Sequence, residues 1–146
     1  MSIEQRLLDQ MRDLHQRMHR LFNDRMRAQG SSLARLKVLA LVDQAGSIRS
    51  TDIAEALGQA PRTVTEAIDA IESEGLAVRR PDPDDRRAKR ISLTAAGQAV
   101  VRAAAPHRDA FAAEIFSALS VKDMEDYLKI LTILNDRIIE MGAPGG

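Results

Sequence analysis

Cysteine and tryptophan are absent from this chain of 146 residues, and aromatic rings are scarce: Phe22, Phe111, Phe116 and Tyr127. The absence of cysteine excludes disulfides, thiolate metal sites and cysteine-based redox sensing, and it fits a reducing cytoplasm. The scarcity of aromatic rings argues against a stacking platform for single-stranded nucleic acid. Aliphatic and methionine side chains must therefore form most of the core.

Long apolar runs are missing as well. No window approaches the roughly 18 consecutive apolar residues of a membrane span, and the N-terminus is charged from Glu4 onward, without the apolar core of a signal peptide. The chain also lacks a glycine-rich phosphate loop and a convergent set of histidines and carboxylates, which argues against an enzyme. The sequence predicts a cytoplasmic protein without a membrane partner, a cofactor or catalytic residues.

The formal net charge is zero, but one short stretch is basic. Between Arg79 and Arg90 there are six basic residues against three acidic ones. The runs before and after it, 76–80 and 89–93, are short and β-compatible, and Pro and Asp residues separate them. This pattern predicts a hairpin with an extended basic loop, as in a DNA-binding wing.

Two short helices joined by a tight turn are predicted ahead of this hairpin. Ser50 can cap the first helix, and Gly58 can end it in the left-handed conformation. Pro61 suits the first turn of the second helix, because its missing N–H would have no partner there. Apolar residues on one side of each helix and polar residues on the outer face of the second predict a helix-turn-helix.

Longer helices are predicted at both ends of the chain. In the first, from Ile3 to Met26, apolar residues recur at steps of four and three, a narrow stripe that usually meets another helix: Leu7, Met11, Leu14, Met18 and Leu21. Thr94 can cap a helix that runs to about Leu119, and a last helix follows from Val121 to Met141.

Several motifs lie in the central sixty residues. They are Asp52-Ile53-Ala54-Glu55-Ala56-Leu57-Gly58, Thr63-Val64-Thr65, Ile71-Glu72-Ser73-Glu74-Gly75-Leu76, and Asp85-Arg86-Arg87 followed by Leu93-Thr94 and Gly97. With these motifs the segment from about Val38 to Gly97 resembles the MarR (multiple antibiotic resistance regulator) family. The end helices resemble that family in length and apolar pattern.

The resemblance implies a mainly α fold with a small β-hairpin, in one subunit spanning 1–146. Its winged helix-turn-helix would occupy 33–97, and residues 1–29 and 98–141 would form dimerisation helices that interlock in a homodimer. The implied function is that of a sequence-specific transcriptional regulator of double-stranded DNA, here expected to be a ligand-responsive repressor. Its operator would be pseudo-palindromic, with half-sites about one helical turn apart.

The second helix of the helix-turn-helix is the expected reader of the major groove, where base edges carry a full donor and acceptor code. The residues expected to contact DNA are Arg62, Thr63, Thr65 and Glu66. Two positions depart from the family pattern. Ala60 replaces a frequent capping Ser, at a cost of about 1 kcal/mol, and Glu66 stands where a basic or amide residue is common. Glu66 could accept a hydrogen bond from cytosine or be repelled by phosphate.

In the wing, the residues expected to contact DNA are Asp85, Arg86, Arg87, Lys89 and Arg90. The resemblance implies that the Asp85 carboxylate holds the Arg87 guanidinium, and that Arg87 or Arg86 enters the minor groove. Narrow A·T-rich grooves attract arginine because they concentrate negative potential. The alternative interpretation is a surface ion pair of little energetic value.

The family also implies a pocket for a small effector, expected to be phenolic or otherwise aromatic. Its predicted lining on the first helix is Met11, His15, Met18 and Phe22, which could instead be core residues. His15 and His19 share one helix face and could form a metal pair, but with no cysteine nearby the prediction is that no metal binds. A rival to DNA binding is a winged helix that binds only proteins, whose wing would lack arginine.

Overall fold

The computed structural model of the protein describes residues 1–30 and 32–143. Within that part the element order is α1 (Ile3–Ala28), α2 (Leu33–Ala45), β1 (Ile48–Arg49), α3 (Ser50–Leu57), α4 (Pro61–Ser73), β2 (Ala77–Pro81), β3 (Lys89–Leu93), α5 (Ala95–Phe116) and α6 (Val121–Glu140). The predicted mainly α fold with a small β-hairpin and a winged helix-turn-helix is confirmed. None of the helices described is both long enough and apolar enough to cross a membrane.

The chain forms two compact units, Met1–Ala104 and Ala105 onward. The core of the first unit lies between α2, α3, α4 and the sheet, where Leu39, Ile53, Ile68 and Ile91 are fully buried. Each such side chain contributes about 1.5–3 kcal/mol on burial. This cluster therefore joins the helix-turn-helix and the base of the wing in one packed body.

The sheet is antiparallel, with β3 between β1 and β2. Ile91 of β3 stands opposite both Ile48 and Arg79, and Arg90 stands opposite both Arg49 and Arg80. Directly opposed residues share one face of a sheet. In the first row Ile91 and Ile48 pack in the core, whereas Arg79 pairs with acidic residues of α4. The next row places three arginines side by side.

Local signals explain most of the helix ends. Gly58 takes the left-handed conformation predicted for it, with φ 61° and ψ 32°, and Pro61 opens α4 as expected. The Oγ1 of Thr94 accepts a hydrogen bond from the N–H of Gly97 at 3.2 Å, which caps α5. The prediction that Ser50 caps α3 is wrong, because Ser50 is the first helical residue and Arg49 occupies the cap position without a side-chain bond.

The second unit contains the end of α5 and all of α6. Ser120 caps α6 by accepting a hydrogen bond from the N–H of Asp123 at 3.1 Å. All twenty residues of α6 are described, and none is buried. Seven of its large apolar side chains are between 41% and 67% exposed: Val121, Leu128, Ile130, Ile133, Leu134, Ile138 and Ile139.

Candidate nucleic-acid interface

Helix α4 has one buried apolar face and one polar face in solvent. Val64, Ile68 and Ile71 anchor the helix, each with no exposed surface. The four residues expected to contact DNA from this helix are all exposed: Arg62, Thr63, Thr65 and Glu66. The cap residue Ala60 makes no side-chain hydrogen bond, so the first N–H groups of α4 are not satisfied by a capping side chain.

Contacts within the first turns of α4 are few and weak. Arg62 Nε lies 3.4 Å from Glu66 Oε1, with the Arg62 side chain 92% exposed. Exposed pairs of this kind contribute little and leave the side chains free to rearrange. Thr65 is held locally, because its hydroxyl donates to the carbonyl of Pro61 at 2.9 Å.

The wing loop is organised around Asp82, a residue that sequence reasoning missed. Its side chain has no exposed surface. Oδ1 accepts hydrogen bonds from the N–H groups of Asp84 at 2.8 Å and Asp85 at 3.2 Å. Oδ2 accepts from Arg49 Nε at 2.7 Å and Arg90 Nη1 at 3.1 Å. The hydrogen bond from Arg49, followed by that from Asp84, holds the pKa of Asp82 well below its usual range.

Asp85 is placed differently from the family pattern that the sequence suggested. Its Oδ1 accepts a hydrogen bond from the backbone N–H of Arg87 at 3.0 Å, and within the described residues it forms no ion pair with the Arg87 guanidinium. Its carbonyl accepts from the N–H of Ala88 at 3.1 Å, and the N–H of Asp82 donates to the carbonyl of Ala88 at 3.1 Å. These bonds shape the loop backbone, so Asp85 orders the tip rather than one side chain.

The basic residues of the hairpin fall into two groups. Arg90 donates to the Oγ and the carbonyl of Ser47, both at 3.0 Å, besides Asp82. Arg79 is paired with Asp69 and Glu72 of α4. Those two guanidinium groups are bonded to other residues of the chain. The other four basic side chains are exposed at the outside of the wing: Arg80, Arg86, Arg87 and Lys89.

The wing and the helix-turn-helix share one cleft of about 510 Å³. Thr65 of α4 and Ser50 of α3 line one side, and Asp85, Arg87 and Lys89 line the other. Residues expected to contact DNA from both elements are therefore brought together. Arg62, Thr63, Glu66 and Arg86 do not line the cleft and lie exposed outside it.

The residues expected to form an effector pocket lie along α1. Met11 is 51% exposed, His15 is exposed, and Met18 and Phe22 are half-buried. Of these four only His15 lines the open groove on α1, together with Gln16, His19, Arg20 and Asn23. The rings of His15 and His19 have centroids 6.4 Å apart. No group of three or more potential metal ligands occurs among the residues described.

Residues 32–89 match the model of the MarR family. The fold is similar to that of wild-type MarR from E. coli, with a TM-score of 0.81 and 21% identity over 88% of this chain and 95% of that chain. A mutant MarR from E. coli complexed with operator DNA gives a TM-score of 0.76, with 21% identity over 92% of this chain and 99% of that one. The S. aureus MepR–DNA complex gives a TM-score of 0.74, with 24% identity over 87% of this chain and 94% of that one.

Proposed function

We propose that this protein, a member of the MarR family by its residues 32–89, is a sequence-specific transcriptional regulator that binds double-stranded DNA as a homodimer. One observation carries the proposal. Thr65 on the exposed polar face of α4 lines the same cleft as Arg87 and Lys89 of the wing, and one packed core carries both elements. The cytoplasmic location expected from the sequence belongs to the same proposal.

Helix α4 suits the major groove. Its N-terminal residues are exposed, and its backbone N–H groups lack a capping side chain. Helix N-termini attract phosphate, and side chains in the first turns reach base edges. We assign base and phosphate contacts to Arg62, Thr63 and Thr65, with Glu66 at the edge of that surface.

The wing suits the neighbouring minor groove. Arg86, Arg87 and Lys89 are exposed on a loop whose backbone is held by Asp82 and Asp85. A pre-ordered loop loses less conformational entropy when it binds. The guanidinium of Arg90 donates hydrogen bonds to Ser47 and Asp82. We therefore assign Arg90 to the support of the wing rather than to a direct DNA contact.

Dimerisation explains the exposed apolar side chains. The α6 side chains described above, and on α1 Ile3, Leu7, Leu8, Met11, Leu14 and Leu21, all remain at least 41% exposed in the single chain. Large apolar side chains that repeat along one exposed helix are typical of helix–helix interfaces. A second copy of the chain would cover them, and two copies would present two recognition helices to half-sites about one helical turn apart.

Repression and effector control complete the proposal. The MarR mutant was solved with operator DNA, which supports an operator-binding role here. An effector near His15, Met11, Met18 and Phe22 would relieve repression only if it preferred a dimer whose α4 helices have the wrong separation for DNA.

Selection of bound fragments from genomic DNA by the purified full-length protein tests the proposal. We expect enrichment of a two-fold-symmetric motif with half-sites about 10 base pairs apart. The matched control is the double variant Arg86→Ala, Arg87→Ala, which should enrich far less. A wild-type protein that enriches no sequence over random DNA would instead favour a protein-interaction module.

A further inference from the structure

Three arginines stand side by side on the sheet of the wing. Arg49 pairs with Arg90 across β1 and β3, and Arg90 pairs with Arg80 across β3 and β2. Like charges directly opposite each other on one face destabilise a sheet. The buried carboxylate of Asp82 is the counterion of two of them, since its Oδ2 lies 2.7 Å from Arg49 Nε and 3.1 Å from Arg90 Nη1.

The two oxygens of Asp82 serve different parts of the molecule. Oδ2 binds the arginines of β1 and β3, whereas Oδ1 accepts the N–H groups of Asp84 and Asp85 and so fixes the start of the wing loop. The Asp82 side chain has no exposed surface, so it cannot itself contact DNA. Any effect that it has on DNA binding must pass through the groups it holds.

Those groups include the entry to the helix-turn-helix. Arg49 is the residue immediately before α3, and α3 leads through the Gly58 turn into α4. Arg90 is tied to Ser47 at the start of the same segment by two hydrogen bonds of 3.0 Å. Asp82 thus connects the wing loop to the backbone that carries both helices.

We infer that Asp82 is a positioning residue for DNA recognition: by joining the wing loop to Arg49 and Arg90, it sets the separation between the wing tip and the N-terminus of α4. This inference rests on the proposed function. The carboxylate also offsets one of the two positive charges that it binds, so its removal makes the surface more positive while it loosens the wing. Specific DNA binding should therefore weaken, whereas non-specific DNA binding should stay the same or tighten.

The variant Asp82→Asn separates these effects. The amide keeps an oxygen for the loop N–H groups but loses the charge that holds the guanidinium groups. For the selected operator we expect about tenfold weaker binding, comparable to one mismatched base pair. For random duplex DNA we expect unchanged or tighter binding, because non-specific affinity follows charge. Asp84→Asn is the matched control, with the same charge change at an exposed position of the same loop.

For the control we expect binding to operator and random DNA to tighten together, so that the specificity ratio is kept. If Asp82→Asn also keeps that ratio, the positioning role is overturned and only the charge matters. Should Asp82→Asn lose its cooperative melting transition, Arg49→Gln takes its place, since it leaves Asp82 paired with Arg90. Because this variant removes a positive charge, random-duplex binding should weaken and operator binding should weaken more, so that the specificity ratio falls.

A second measurement works without DNA. Trypsin cleavage after Arg86 and Arg87, followed by mass spectrometry, should be about tenfold faster in Asp82→Asn and Arg49→Gln relative to cleavage sites in α1, because proteolysis tracks local opening. Unchanged cleavage in both variants overturns the inference. A wild-type protein without sequence preference would instead contradict the proposed function, and the cleavage rates would still decide the role of Asp82.

Discussion

Gly97, in the first turn of α5, lies against the backbone carbonyl of Leu76. A β-carbon added to Gly97 would come 2.0 Å from the Leu76 oxygen and 3.0 Å from its carbonyl carbon. That oxygen also accepts the N–H of Thr94 at 3.0 Å, so the carbonyl is held in place. The start of α5 can therefore pack beside the start of β2 only because residue 97 has no side chain.

Gly97→Ala should destabilise the protein by about 1–3 kcal/mol, the usual effect of forcing extra atoms into a packed site. The sign of this change in the free energy of unfolding is informative, because replacing Gly by Ala inside a helix ordinarily stabilises the helix by about 1 kcal/mol. Urea unfolding followed by circular dichroism measures the change. Ala96→Gly, at the neighbouring exposed position, serves as the control and should cost about 0.5–1 kcal/mol. A more stable Gly97→Ala protein would contradict the close contact.

Positions with local signals were predictable from the sequence. Gly58, Pro61 and Thr94 each favour one backbone geometry or one hydrogen bond within a few residues, and the structure has them there. Apolar spacing likewise marked the buried faces of α3 and α4. These signals were enough to identify the helix-turn-helix and the hairpin.

The role of Asp82 was not predictable from the sequence. In the sequence it is one of several acidic residues in a polar turn, typical of a solvated loop. Its burial depends on Arg49, which is 33 residues away and reaches it only because β1 pairs with β3. For the same reason Arg90 could not be distinguished from the exposed arginines of the wing, since its partner Ser47 is 43 residues distant.

Leu128→Glu should dissociate the homodimer. Leu128 is 65% exposed in the single chain, and a partner helix that covers it would have to bury the introduced carboxylate, which is costly without a counterion. Sedimentation velocity should show a dimeric wild-type protein and a dimerisation constant at least about tenfold weaker in the variant. Lys129→Gln, at the adjacent exposed position, changes the net charge by the same one unit and controls for charge. A wild-type protein that sediments as a monomer would contradict the dimer.

Acid should weaken the fold partly through Asp82. Its pKa is lowered in the folded protein by the hydrogen bond from Arg49, so the native state favours the carboxylate. The stabilisation is complete above the unfolded pKa of about 3.9 and is lost as the pH falls from there through the lower native pKa. Thermal melting between about pH 5 and 2 should therefore fall less steeply in Asp82→Asn than in wild type. Parallel curves would show that Asp82 does not contribute to this loss.

Arg87→Ala and Arg79→Ala should have different effects although both remove one positive charge from the hairpin. Arg87 is exposed at the wing tip, so its loss should weaken operator binding without unfolding the dimer. The salt slope, which is the slope of the logarithm of the binding constant against the logarithm of the salt concentration, should become shallower by about 1. Arg79 is paired with Asp69 and Glu72, so its loss should lower the melting temperature and leave the salt slope nearly unchanged. Titrations at several salt concentrations, with melting curves, distinguish the two. An unchanged affinity for Arg87→Ala across the salt series would remove Arg87 from the interface.

Glu66→Gln tests which of two roles the carboxylate on α4 has. Its nearest charged partner is Arg62, at 3.4 Å, and both side chains are exposed, so Glu66 lies where phosphate contacts are expected and partly offsets Arg62. We therefore expect the variant to bind all duplex DNA several-fold more tightly, with the same preferred sequence, because repulsion from phosphate is removed. Selection of random duplexes by both proteins, at one salt concentration, measures affinity and preference together. If the variant instead loses its preference at a single base pair, Glu66 reads that base by accepting a hydrogen bond, as carboxylates do from cytosine.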